Sequence, residues 1–179
     1  MNRIGLIFRS VVSAALLSAV AALAQQSATT PPALVPPAIL AAKKIFVSNA
    51  GGDCGLFPSP FSGDPSRGYT QFYAALKSTG QFELTADPGE ANLVLELQLI
   101  APSGPARGEV NKVNGASDPL PFFRLVVYDR KTHYILWTLT QPIDIAFLQK
   151  SHDRNFDQAL TAMLQDFLAL SGKPPIAVH

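Results

Sequence analysis

The sequence predicts an α+β domain: a two-layer sandwich in the order β-α-β-β-β-β-α, with two helices on one face of a mixed or antiparallel sheet. Three observations lead there. Residues 91–101 alternate, with Leu93, Leu95, Leu97 and Leu99 on one side and Glu96 and Gln98 on the other, the pattern of a half-buried strand. Two more alternating segments, Phe122–Tyr128 and Tyr134–Thr140, flank Asp129-Arg130-Lys131-Thr132, a turn in which Asp and Thr can bond nearby backbone. Two other segments carry apolar residues at helical spacing, one early and one at the end of the chain. Strands and helices are thus mixed without strict alternation.

The first strand is Lys43–Ser48, β-rich and stopped by Asn49-Ala50-Gly51-Gly52. A long irregular loop, 51–63, follows. Asp64-Pro65 suits a helix start, and Tyr69, Phe72, Tyr73 and Leu76 fall on one helical face before Gly80. Gln81–Thr85 is a second short strand, and Asp87-Pro88-Gly89 a turn. After the strand at 91–101, the Gly- and Pro-rich stretch 102–119 reads as a loop. In the next pair of strands, Phe123, Leu125 and Val127 share a face, as do Ile135, Trp137 and Leu139, and both rows should line the core. Asp153–Ser171 is the last helix, with Phe156, Leu160, Met163, Leu164, Phe167 and Leu170 as its buried stripe and Gly172 and Pro174-Pro175 as its stop.

The amino terminus reads as an export signal. Arg3 and Arg9 precede an apolar run from Val11 to Ala24, 14 residues long, against the roughly 20 needed to span a bilayer. Ala22 and Ala24 place small residues before a cleavage point at Gln25. No later segment is long and apolar enough to cross a membrane, and no Cys follows the cleavage point to carry a lipid. The organisation is therefore 1–24 signal peptide, 25–42 tether rich in Pro and Ala, 43–172 a single α+β domain and 173–179 a tail. Paired prolines at 31–32 and 36–37 favour an extended tether. Loss of residues 1–24 removes two Arg and no acid, turning a net charge of +1 into −1. With charged residues at 15%, a basic nucleic-acid-binding domain is excluded. The destination is the periplasm or the cell exterior.

No residue is assigned a catalytic, cofactor-binding or metal-binding role. Cys54 is the single cysteine, so no internal disulfide exists, and no Lys, Arg or His lies near it in sequence to activate a thiolate. Asp153 and Asp157 stand four apart on a helix and could share a cation, but metals need three or four ligands, and helix capping explains two early acids more simply. Asn49–Gly55 resembles a glycine-rich phosphate loop without the Lys-Ser or Lys-Thr and the helix that such a loop requires. Ser48, Ser59 and Ser62 lack the nucleophile-elbow context. The sheet face away from the helices is less bland. Alternation places Val94, Phe122, Val126, Tyr128, Tyr134 and Leu136 there, with Glu96, Gln98 and Arg124 among them. An apolar-aromatic patch with polar neighbours is the pattern of a partner surface.

The central segments resemble a known group. Ala91-Asn92-Leu93-Val94-Leu95-Glu96-Leu97, and Leu125–Thr132 followed by Leu136-Trp137, are similar to the strand and hairpin patterns of the curli-secretion-channel (CsgG-like) family and of TolB amino-terminal-like domains, over roughly residues 43–171. The resemblance implies a non-catalytic envelope accessory domain. The chain departs from that pattern in having Asn92 in place of Asp and in lacking both a lipid-attachment Cys and membrane-inserting hairpins, which argues against pore formation. The expected function is an exported accessory or protein-interaction domain that meets an envelope protein or a second copy of itself. The alternative is a small-ligand binder or hydrolase with its site in the loops at 51–63 and 102–119.

Overall fold

The computed structural model describes residues 33–102 and 120–175. Chain contacts divide at Leu34, and the sheet and its helices belong to the unit that begins at Val35. Residues 1–24, the cleavage point at Ala22, Ala24 and Gln25, the first part of the tether, most of the 102–119 loop and the end of the tail lie outside the described residues.

A five-stranded mixed sheet runs in the order β2-β1-β3-β4-β5, formed by β1 (Lys44–Gly52), β2 (Glu83–Leu84), β3 (Leu93–Ile100), β4 (Phe122–Asp129) and β5 (Ile135–Pro142). β1 is parallel to both β2 and β3, while β3, β4 and β5 are antiparallel. A one-turn helix α1 (Pro37–Leu40) precedes β1, α2 (Arg67–Ser78) links β1 to β2, and α3 (Gln149–Leu170) closes the chain. Helices α2 and α3 cover the sheet face that carries Leu93, Leu95, Leu97, Leu99, Phe123, Leu125 and Val127, and their own buried residues Phe72, Leu76, Phe156, Leu160, Met163, Leu164 and Phe167 complete one core. The α+β sandwich with two helices on one face is therefore the architecture observed.

Local chemistry explains the boundaries. Asp64 does not start a helix. Its Oδ1 accepts from the Ser66 amide at 2.7 Å and the Ser66 hydroxyl at 2.6 Å, a side-chain turn that delays α2 to Arg67. Helix α3 begins at Gln149, four residues before the expected Asp153. The expected tether 25–42 also needs correction at its end. Pro37 sits at the first position of α1, where a missing N–H costs nothing, and Ile39 and Ala42 are buried in the core. The 51–63 loop is likewise part of the core. Asp53 accepts from the Gly55 amide and starts a short 3-10 turn, Cys54–Leu56, after which Leu56 and Phe61 are fully buried. The peptide bonds Phe57–Pro58 and Ser59–Pro60 are cis. Two glycines of the Asn49–Gly55 stretch serve the backbone: Gly51 takes the left-handed φ of 85°, and a Cβ on Gly52 would stand 2.9 Å from the Pro65 carbonyl oxygen.

One strand departs from the expected alternation. The β4–β5 register slips between Val127 and Tyr128, so that Val127 faces Trp137 but Tyr128 faces Ile135. This β-bulge puts one extra residue, Leu136, into β5. Ile135, expected in the core, is 59% exposed, and Leu136, expected on the outer face, packs against the core cluster.

Candidate functional site

The face opposite the helices is built in rungs across the sheet. Phe46 of β1, Val94 of β3, Tyr128 of β4 and Ile135 of β5 form one rung; Ser48, Glu96, Val126 and Thr138 form the next. Gln98, Arg124 and Thr140 follow, then Ile100, Phe122 and Pro142. Within this face, Val126 stands between Glu96 and Thr138 and is only 6% exposed, whereas Val94, Phe122 and Tyr128 are half-buried. Arg124 donates to Gln98 Oε1 at 2.5 Å and leaves its buried Nε without a partner. Burial pushes the Tyr128 phenol up, the neighbouring Glu96 carboxylate adds to the rise, and Arg124 opposes it. The face thus mixes apolar rungs with one carboxylate, one guanidinium, one amide, one phenol and the hydroxyls of Ser48, Thr138 and Thr140. Those groups recognise by contact and hydrogen bonding.

Of the six residues expected there, Val94, Phe122, Val126 and Tyr128 share the face. Tyr134 lies in the hairpin turn beyond the strand and is 74% exposed. Leu136 is replaced on the face by Ile135, as the bulge requires. Phe46 belongs there too, and the alternation of Ile45, Phe46 and Val47 in β1 was the available signal. Sequence reasoning also missed Phe147, 98% exposed in the connector between β5 and α3. No periodic pattern covers that connector.

The other candidates resolve into structure. Asp153 and Asp157 do share a cation, and it is Arg67. Its Nη1 meets Asp153 at 2.6 Å and its Nη2 meets Asp157 at 2.7 Å, while the guanidinium lies over the Phe156 ring, 4.4 Å from the centroid. Both acids are past the first turn of α3, so helix capping does not account for them. Cys54 is exposed, with Gly52 O 4.0 Å from its sulfur. His152 is buried, its Nδ1 accepting from the Ala146 amide at 3.2 Å and its ring edge-on to Phe61. The two do not hydrogen-bond to each other. Among the described residues, no three His, Cys, Asp or Glu side chains converge as a metal site, and no helix is long and apolar enough to cross a membrane.

No family model and no curated protein matches the chain. Among solved structures it is similar to a point-variant PelC dodecamer from Paraburkholderia phytofirmans, at 14% identity and a TM-score of 0.43, covering 74% of this chain and 89% of that one. A second PelC dodecamer structure from the same organism gives 14% identity and a TM-score of 0.40, over 74% and 88% of the two chains. Protein XCC0632 from Xanthomonas campestris, of the DUF330 family, gives 13% identity and a TM-score of 0.40, over 73% and 85%. At that distance the likenesses assign no function. They do correct the expected resemblance: these neighbours are PelC and a DUF330 protein, not CsgG-like or TolB-like proteins. The reason is local. Asp129 accepts from the Lys131 amide and the Thr132 hydroxyl, turn chemistry open to any antiparallel hairpin, so the motif marks a hairpin and not a lineage.

Proposed function

We propose that this chain is an exported, envelope-associated interaction domain without catalytic activity, whose partner meets the outer sheet face. The observation that carries the reading is that face itself: two apolar rungs, one of Phe46, Val94, Tyr128 and Ile135 and the other of Ile100, Phe122 and Pro142, enclose two mixed rungs that hold Glu96, Gln98 and Arg124 on the side of the sheet away from α2 and α3. An apolar surface with a few fixed polar groups is the make-up of a protein contact. The signal-like residues 1–24 support export, and the near-neutral charge of the remaining chain favours contact over long-range steering.

The test has two arms. Fractionation with amino-terminal sequencing should find the protein outside the cytoplasm and beginning at Gln25; a cytoplasmic protein that keeps Met1 would remove export from the proposal. A photo-crosslinking residue at Tyr128 should capture one reproducible envelope protein in living cells, and the same residue at Gln158 on α3 should not. Ile135→Ser should weaken that capture. Equal products from both positions would overturn the outer-face reading.

A further inference from the structure

We propose that the open edge of β5 pairs antiparallel with β5 of a second copy of this chain, across a two-fold axis, joining two five-stranded sheets into one. This concerns the edge of the sheet and does not depend on the outer-face reading. Among the described residues, β5 ends the sheet on one side and the two-residue β2 ends it on the other. Alternate N–H and C=O groups of an end strand point away from its neighbour and are a template for another strand. Natural edges are commonly blunted by charge, lysine above all. Ile135–Pro142, ILWTLTQP, contains no Asp, Glu, Lys or Arg. Its interruptions are the bulge at Leu136 and Pro142, which lacks an N–H. Between them Trp137–Gln141 is an uninterrupted run.

The first part of that run, Trp137–Leu139, is complementary to itself. Residues opposite one another in an antiparallel pair lie on the same face. A two-fold axis through Thr138 sets Trp137 against Leu139 of the second copy on the inner face and Thr138 against its own counterpart on the outer face. Apolar meets apolar and hydroxyl meets hydroxyl, pairings that stabilise antiparallel strands, and no like charges are brought together. The inner-face members also have area to bury. Trp137 and Leu139 pack on the core but remain half-exposed, whereas Leu125 and Val127 on the adjoining strand are fully covered. An added strand would cover them.

Sedimentation equilibrium of the purified protein across a concentration series should show a monomer–dimer equilibrium. The outward-pointing backbone amides within Trp137–Leu139 should exchange more slowly as the dimer fills. Thr138→Lys and Thr138→Glu should each weaken the dimer by roughly tenfold or more, because like charges then face each other, and an equimolar mixture of the two should restore it. The mixture separates loss of pairing from loss of folding. A wild-type protein monomeric at every concentration would overturn the proposal. So would a dimer whose β5 amides exchange as fast as in the monomer, since face-to-face docking leaves the edge unpaired. A monomer that is still captured from Tyr128 would sink the edge pairing alone and leave the outer-face reading intact.

Discussion

Gly68 sits where α2 passes closest to the aromatic core. A Cβ there would stand 2.9 Å from Phe123 Cε1 and 3.6 Å from Phe156 Cζ. Alanine in place of a helical glycine ordinarily gains about 1 kcal/mol. Here the opposing atom belongs to a fully buried ring held edge-on against Phe156 at 4.9 Å between centroids, and it has nowhere to retreat. Gly68→Ala should therefore lower stability by about 1–2 kcal/mol, seen as a lower urea midpoint at unchanged slope. Asn92 is a second such position. Its Oδ1 accepts from the Lys43 and Lys44 backbone amides at 3.0 and 2.9 Å, and its backbone N–H donates to Lys44 O, so one residue fastens the start of β1 to β3. Asn92→Ala should cost about 1 kcal/mol in the same measurement. Asn92→Asp should retain stability, because only an acceptor oxygen is needed. In the sequence this residue stood out solely as an Asn in place of an expected Asp. Its structural task was not legible, since nothing in the spacing says that residues 43 and 92 meet.

The elements are held together by a clamp that joins three of them. Arg67 at the start of α2 binds Asp153 and Asp157 of α3 and donates to the Ser62 carbonyl, while Asp153 also accepts from the Ser62 amide. Burial alone would push Asp153 up, but the Ser62 amide and the Arg67 guanidinium outweigh it and hold the carboxyl below its ordinary range. A carboxyl whose folded-state value lies below the unfolded one stabilises fully above about pH 4 and loses that contribution as pH falls through the folded value. Asp64 is lowered by the Ser66 hydroxyl and amide, and Asp129 by the Lys131 amide and Thr132 hydroxyl, with the same sign. The urea midpoint should thus fall as pH drops below about 4. Asp153→Asn should start lower at neutral pH and lose less on acidification. An identical acid limb in wild type and variant would show that the clamp contributes nothing. The type of each long element was readable because period two and period 3.6 survive in the residues. The helix starts and the bulge were not. Each is decided by one side chain or one extra residue competing locally, as at Asp64 and Leu136, and such competition leaves no periodic trace.

At the scale of the molecule, the sheet order predicts where the chain is most resistant to opening. β1, β3 and β4 are each flanked on both sides, and β3 and β4 contribute fully buried rows. Their amides should show the slowest hydrogen exchange, with those of the two-residue β2 the fastest in the sheet. Uniform exchange across all five strands would contradict that order. The α+β class and the two-helix face were legible because both helical stripes and the Leu row of β3 require one shared interior. The rung order was not, because a mixed sheet with β1 between β2 and β3 depends on long-range pairing that no local pattern encodes. That order also fixes a timetable. The first long strand, β1, is an inner strand of the sheet, while the residues that seal the interior, Phe156, Leu160, Met163, Leu164 and Phe167, arrive with the last helix. Contacts so distant in sequence form slowly. A growing chain that has reached β5 but not α3 holds its Leu row open to solvent and has no finished state to settle into. A chain ended before Gln149 should accordingly bind hydrophobic dyes and lack cooperative unfolding, and addition of the missing 22-residue helix should be the event that converts an unfinished polymer into a native protein.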